Sequence, residues 1–169
     1  MSYFIERISE RNIDAFVKIM EASWGKIPSR NYYLNKFNPD YAGIKNIGFI
    51  AFDSVSKNPA AFHGVFPQIM NFNKTDFVVA QLSDTVTHPE HRRKGLFKLL
   101  FEKTLELCKK ENISLIYGFP NQSSYPGYIK FGWSHPYNSI AINGKIKMSL
   151  HNKIHRKVLN RNFYFVQEK

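Results

Sequence analysis

The apolar residues of this chain recur with two different periods, which separate predicted strands from predicted helices. Apolar residues three or four positions apart predict amphipathic helices, and apolar residues at every second position predict half-buried strands. By these patterns we expect helices at about 13–24, 29–37, 94–111 and 124–131. Strands are expected at 3–8, 48–52, 61–72, 77–86 and 114–119, with a hairpin loop at 73–76 between the third and the fourth.

The C-terminal part alternates again on both sides of Asn143-Gly144, a dipeptide that is a strong hairpin signal between such runs. The apolar run Phe163–Val166 could add a last strand. The predicted order of elements is therefore β-α-α-β-β-β-α-β-α-β-β. A chain of 169 residues suits one domain, 1–169, in which the basic segment 151–169 would complete the sheet.

The charge of the chain is strongly positive and uneven. Lys and Arg number 24 against 13 Asp and Glu, and no acidic residue occurs between Asn112 and Gln167. A positive potential of this kind attracts anions such as a CoA phosphate, a nucleotide-sugar or a nucleic acid backbone. A basic surface that serves only solubility is the alternative, and the sequence leaves both open.

Several classes of protein are excluded by what the sequence lacks. The single cysteine, Cys108, rules out a disulfide framework and fits a reducing, cytoplasmic location; we expect it to be a core residue rather than a nucleophile. No apolar run reaches membrane-spanning length, and the N-terminal residues do not resemble a signal peptide. No spacing of Cys, His or carboxylates predicts a metal site. No Gly-x-Ser-x-Gly supports a hydrolase.

The segment Thr87–Phe97, Thr-His-Pro-Glu-His-Arg-Arg-Lys-Gly-Leu-Phe, joins a predicted strand to a predicted helix. The first amides of a helix have no intrahelical partners, and the helix dipole is positive at that end. Three cations, Arg92, Arg93 and Lys94, directly precede Gly95 at this helix start. This arrangement is typical of a pyrophosphate-binding turn.

This turn resembles motif A of the GCN5-related N-acetyltransferases (GNAT), which reads Arg or Gln, two residues, Gly, one residue, then Gly or Ala. Arg92 and Gly95 match, whereas Phe97 replaces the second small residue. The later segment Asn121–Trp133 resembles motif B of the same family through Tyr128, Lys130, Gly132 and Trp133. The residue pattern of motif B is also similar to that of bacterial acetyltransferases encoded with surface-polysaccharide genes.

The resemblance implies a mixed, mostly antiparallel sheet flanked by helices and an enzyme that uses acetyl-CoA as co-substrate. The implied activity is direct transfer of the acyl group to a primary amine. An amino sugar is the first candidate for this acceptor. In the family, the strand end and the turn bind CoA and the motif B tyrosine is the general acid. The implied cofactor-binding residues are Thr85, Val86, Thr87, Arg92, Arg93, Lys94, Gly95, Leu96, Phe97 and Asn121, and the implied acid is Tyr128.

The general base is not determined by the sequence. Asp84 is an isolated acid in an uncharged strand, and it could take the amine proton or instead pair with a Lys or Arg. Gln81, His63 and His88 are lesser candidates. Asn121 could cap the short helix instead of binding CoA, and Tyr125 is the nearest competitor of Tyr128. Two rival functions are a nucleic-acid-binding module that uses the basic C-terminal third, which we judge unlikely, and an inactive CoA-binding protein; a homodimer is left open.

Overall fold

The computed structural model describes residues 2–25, 27–133 and 164–166. The chain divides into two compact units, residues 1–116 and 117–169. The expected hairpin at 140–150 and most of the segment 151–169 lie outside the described residues. A single domain over 1–169 stays a prediction.

The first unit is built on an antiparallel meander of four strands. The strands are β1 (Tyr3–Arg7), β2 (Gly48–Asp53), β3 (Pro59–Phe72) and β4 (Thr75–Thr87). The helices are α1 (Ile13–Trp24), α2 (Arg30–Phe37) and α3 (Leu96–Lys110). A fifth strand, β5 (Leu115–Gly118), follows β4 in the order of the sheet, and the N–H of Ser114 donates to the carbonyl of Val78 at 2.9 Å.

The second unit contains the helix α4 (Tyr125–Lys130) and the strand β6 (Tyr164–Val166), which is the neighbour of β5 in the sheet. The observed order through α4 is the predicted one, and β6 coincides with the apolar run expected to form a last strand. The predicted fold class, a mixed α/β fold with a mostly antiparallel sheet, is confirmed. None of the helices in the described part of the chain combines the length and apolar character that a membrane span requires.

Both faces of the sheet in the first unit are covered, because neighbouring residues of a strand point to opposite faces. On β2, Ile50 and Phe52 pack with α1 and α2, in a cluster that includes Phe16, Tyr33, Phe37 and Phe62. The intervening Ala51 packs with Leu96 and Leu100 of α3 on the other face. Large aromatic rings thus fill the α1/α2 side, whereas alanines let α3 approach the sheet closely.

The β3–β4 hairpin is tighter than the sequence predicts. The expected four-residue loop at 73–76 is wrong, because Phe72 pairs with Thr75 and only Asn73 and Lys74 form the turn. Both have positive φ, 49° and 63°, as a type I′ turn requires at its two central positions. Asn is a favoured residue for such a conformation, and the side chain of Asn71 also donates to Asp76 across the hairpin at 2.6 Å.

Candidate active site

The connection between β4 and α3 is a compact basic turn. After Thr87 a short 3-10 turn, Pro89–His91, reverses the chain, and α3 begins at Leu96 rather than at the expected Lys94. Gly95 forms the N-cap in the left-handed region, with φ 78°, and nothing lies within 4 Å of the position that a Cβ would take. The glycine is therefore required by the backbone conformation and not by lack of space.

The start of α3 has the properties of an anion-binding site. It has no side-chain cap and no acidic residue in its first turn. The side chains of Arg92, Arg93 and Lys94 are exposed beside it. Arg92 Nε makes only a long hydrogen bond of 3.4 Å to the carbonyl of Thr87, and Lys94 Nζ donates to the carbonyl of Glu90 at 2.7 Å. Backbone amides at a helix start, the helix dipole and neighbouring cations together favour a bound phosphate.

The large side chain of Phe97 is accommodated by packing against other aromatic rings. Its ring lies 6.0 Å from the ring of His63 and 6.3 Å from that of Phe101, measured between centroids. Leu96 is 2% exposed and belongs to the core between α3 and the sheet. Both side chains are thus used for packing, so that Leu96 and Phe97 can offer a ligand only their backbone amides.

Asp84 lies on a β-bulge of β4, just before Thr85–Thr87. Phe62 pairs with Val86 and Gly64 with Ser83, so two residues of β4, Asp84 and Thr85, lie opposite one residue of β3. Asp84 has a φ of 53°, a left-handed conformation that Asp tolerates better than most residues. Bulges of this kind change the direction of a side chain and are frequent next to active sites.

The carboxylate of Asp84 is paired with Lys36 of α2, a residue that the sequence analysis missed. Lys36 Nζ donates to Asp84 Oδ2 at 2.5 Å, and Ser83 Oγ donates to the same oxygen at 2.7 Å. The side chains of the pair are only 16% and 18% exposed. Lys36 Nζ also lies 5.7 Å from the ring centroid of Tyr32 and 5.3 Å from that of Phe66.

The environment of Asp84 therefore combines one carboxylate, one ammonium group and aromatic rings. Burial and, next, the negative charge of Asp84 raise the pKa of the buried Tyr33. Tyr32 and Lys36 are four residues apart on α2 and share one helix face. That spacing, a lysine on the aromatic face of the expected helix, is the sequence signal that points to Lys36.

His63 is unsuited to the role of base that the sequence left open for it. Its side chain is 1% exposed, and burial lowers its pKa to about 3, so that a proton bound to it is held very weakly. Nδ1 is hydrogen-bonded to Thr104 Oγ1 at 3.1 Å, and Thr104 Oγ1 donates to the carbonyl of Leu100 at 2.8 Å. Cys108 is also buried, which raises its pKa to about 12, as expected for a core thiol.

One potential metal-ligand cluster was not predicted from spacing. His88, Glu90 and His91 bring one ligand atom each within 4.8 Å of one another, next to an open cavity of about 220 Å³. His91 Nδ1 is hydrogen-bonded to the hydroxyl of Tyr3 at 3.0 Å. These residues could hold an ion, although the reaction implied by the sequence needs none.

In the second unit, Asn121 has a local structural role. Its Oδ1 accepts hydrogen bonds from the N–H groups of Ser123 and Ser124, at 3.0 and 2.9 Å, and Ser124 Oγ donates to it as well. Asn121 therefore orders the turn before α4, whereas the N-cap of α4 itself is Ser124, which has no side-chain cap, so the alternative in which Asn121 caps the short helix is wrong. The Nδ2 group of Asn121 is the atom with which it could still contact a ligand.

Tyr128 is buried in the second unit, with 4% of its surface exposed. Its ring packs against that of Trp133, with centroids 4.9 Å apart, and its carbonyl accepts hydrogen bonds from the N–H groups of Phe131 and Trp133. The role of Tyr128 as general acid stays a prediction. Asp84 and the basic turn lie in the first unit, and Asn121 and Tyr128 lie in the second.

Comparison with known proteins places this fold. The sequence model of the family described as an acetyltransferase (GNAT) domain matches residues 5–135. The chain therefore belongs to the GNAT acetyltransferase family, and by that membership it is an acyltransferase. No curated protein gives a significant sequence match.

Solved structures agree with this assignment at the level of the fold. PaiA N-acetyltransferase from Thermoplasma acidophilum, in complex with coenzyme A, is 15% identical with a TM-score of 0.66, and the alignment covers 100% of both chains. An acetyltransferase from Trypanosoma brucei has a TM-score of 0.64 at 16% identity, over 82% of this chain and 97% of that one. Glucosamine-6-phosphate N-acetyltransferase from Arabidopsis thaliana has a TM-score of 0.64 at 16% identity, over 88% and 97%.

Proposed function

We propose that this protein is an acetyl-CoA-dependent N-acetyltransferase that transfers the acetyl group directly to a primary amine, with an amino sugar as the acceptor class. The observation that carries the proposal is the continuous arrangement of bulge, strand end and basic turn, from Asp84 to the start of α3. It joins a site for phosphate to a carboxylate within one stretch of chain. The cytoplasmic location and the dimer considered from the sequence stay predictions.

Acetyl-CoA would be held mainly by the first unit. The amides at Gly95, Leu96 and Phe97 and the cations Arg92, Arg93 and Lys94 would bind the pyrophosphate. The backbone of Thr85, Val86 and Thr87 would hydrogen-bond the pantetheine arm as an additional strand would. An amide of this strand end could also polarise the thioester oxygen. Asn121 Nδ2 would add a contact to the arm.

The transfer step requires a proton acceptor and a proton donor. The nitrogen of the neutral amine attacks the thioester carbon, a C–N bond forms, and the C–S bond breaks. Asp84 would take the proton from the amine, directly or through a water molecule, at Oδ1, since Oδ2 is engaged by Lys36 and Ser83. Tyr128 would act as general acid and give its hydroxyl proton to the departing thiolate, a role that the phenol of a tyrosine can perform.

We base the acceptor class on the residues of the segment 24–33 and on related enzymes. The segment 24–33, which in this family faces the acceptor, carries the exposed aromatic Trp24 as well as Arg30. Aromatic and basic residues suit a sugar or an anionic amine better than a polyamine. The likeness to a glucosamine-6-phosphate N-acetyltransferase and to acetyltransferases encoded with surface-polysaccharide genes supports the same choice.

The proposed function is tested by measuring release of the CoA thiol from acetyl-CoA in the presence of single acceptors. A panel would contain glucosamine-6-phosphate, other amino sugars, amino acids and short peptides. We expect acceptor-dependent release, with an amino sugar as the best substrate. Thermal shift with acetyl-CoA, compared with heparin at two salt concentrations, separates this function from nucleic acid binding. Stabilisation by heparin alone would contradict the proposal.

A further inference from the structure

The surroundings of Lys36 Nζ form a complete site for a primary ammonium group. Asp84 Oδ2 lies 2.5 Å from Lys36 Nζ. The ring centroids of Tyr32 and Phe66 lie 5.7 and 5.3 Å from the same nitrogen. Aromatic faces attract cations, and a carboxylate hydrogen-bonded to an ammonium is the strong form of this contact. The group so held is chemically the same as the reacting group of an acceptor.

Lys36 is also unusual among lysines in its exposure. Its side chain is 16% exposed, whereas that of Lys98 on α3 is 60% exposed and pairs with Glu102 only at 3.6 Å. A mostly buried, tightly paired lysine is a poor target for unassisted acetylation in solution. Any modification that prefers Lys36 over Lys98 must therefore be directed by the protein itself.

The position of this amine relates it to the proposed donor site. Asp84 directly precedes Thr85–Thr87, and the bulge turns its carboxylate toward α2, where Lys36 meets it. The residue assigned the role of proton acceptor is thus already hydrogen-bonded to an amine of the same chain. Holding the reactants together in one molecule is worth many orders of magnitude in effective concentration.

We propose that Lys36 is a site of self-acetylation, at which bound acetyl-CoA acetylates Nζ within the same chain; this rests on the proposed function. The ammonium gives one proton to Asp84, and the neutral Nζ forms a C–N bond to the acetyl carbon. The C–S bond breaks, the nitrogen loses its second proton to the CoA thiolate, and free CoA and an amide at Lys36 remain. Acetylation removes the positive charge and with it the ion pair to Asp84.

The test is incubation of the full chain with acetyl-CoA, followed by peptide mass spectrometry with the occupancy of each lysine followed over time. We expect Lys36 to gain one acetyl group faster than the exposed Lys98, with a rate constant independent of protein concentration. Asp84→Asn, which tolerates the left-handed backbone, should slow modification of Lys36 about a hundredfold, the lower end for loss of a general base. Modification of Lys98 should be unchanged in that variant.

Binding of acetyl-CoA is measured in parallel, so that two kinds of failure are separated. If acetyl-CoA binds but Lys36 is modified no faster than Lys98, or is modified equally in Asp84→Asn, self-acetylation is wrong while the proposed function stands. If acetyl-CoA does not bind to the folded chain, the proposed function fails and the self-acetylation with it. Lys36→Arg keeps a cation beside Asp84 and should show no acetylation at position 36.

Discussion

Lys36 Nζ and Asp84 Oδ2, 2.5 Å apart, join α2 to the bulge of β4. The contact links two elements that are separated by 48 residues in the sequence. It places a cation beside the carboxylate that we propose as the acceptor of the amine proton. It also fixes the direction in which that carboxylate points. Both the stability of the first unit and its chemistry are expected to depend on this pair.

Lys36→Met should destabilise the folded protein by about 1–3 kcal/mol, because it leaves a partly buried carboxylate without its charged donor. Lys36→Arg should recover most of this loss, since a guanidinium can also donate to Asp84. Urea unfolding of the two variants and the wild type measures the difference. Equal stabilities of Lys36→Met and the wild type would show that the pair contributes nothing measurable.

Tyr128→Phe should lower kcat by about a hundredfold to ten-thousandfold, the range typical of general acid catalysis, and should leave the affinity for acetyl-CoA nearly unchanged. The ring and its packing against Trp133 survive the change, which removes the hydroxyl group and its proton. The measurement needs the acceptor identified by the panel described above.

Tyr125→Phe is the matched control, because Tyr125 lies on the same short helix and the same atom is removed. We expect its kcat to stay close to that of the wild type. A normal kcat for Tyr128→Phe would remove Tyr128 from the mechanism. A large loss for Tyr125→Phe alone would transfer the role to Tyr125.

The buried His63 should make the protein less stable in mild acid. Its pKa is lowered to about 3 in the folded state, against about 6.5 for an unfolded chain, so the unfolded state binds more protons between these values. The contribution to stability is complete above pH 6.5 and is lost as the pH falls below it. Between pH 6.5 and pH 5 the loss from this group is about 2 kcal/mol.

His63→Gln offers the comparison, because glutamine is polar but does not titrate. Its unfolding free energy should fall less steeply between pH 6.5 and 5 than that of the wild type, whatever its absolute stability. Urea unfolding at several pH values gives both slopes. Identical slopes would mean that His63 is not held neutral by the core.

The order of elements was predictable because it is local. Helix spacing and the turn residues determined where most elements begin and end. The hairpin at Asn73-Lys74 was wrong only in its length. The basic turn was predictable for the same reason, since its cations, its glycine and its helix start are consecutive in the sequence.

The partner of Asp84 was not predictable in this way. The sequence identifies Asp84 as an unusual acid in a strand, but the bulge that turns it arises from the pairing of β3 with β4. Lys36 reaches it only because α1 and α2 pack on the sheet through the cluster around Phe16, Phe37 and Phe62. Contacts of this kind depend on tertiary packing, as does the grouping of His88, Glu90 and His91.

The central claim is that acetyl-CoA binds at the start of α3. It can be tested with a matched pair of glycine variants. Gly95 and Gly43 both have positive φ, 78° and 65°, and at both positions nothing lies within 4 Å of a Cβ. Gly95→Glu and Gly43→Glu thus impose the same backbone strain and the same charge change. They differ in location, because Gly43 follows a 3-10 turn at Asp40–Ala42 and Gly95 caps α3.

Isothermal titration calorimetry of acetyl-CoA into the wild type and these two variants is the most direct test. We predict that the wild type and Gly43→Glu bind acetyl-CoA with similar affinity, and that Gly95→Glu, folded by circular dichroism, shows no measurable binding. Repulsion between the new carboxylate and the pyrophosphate at the helix start is the reason. Unchanged affinity in a folded Gly95→Glu protein would contradict the assignment of the site.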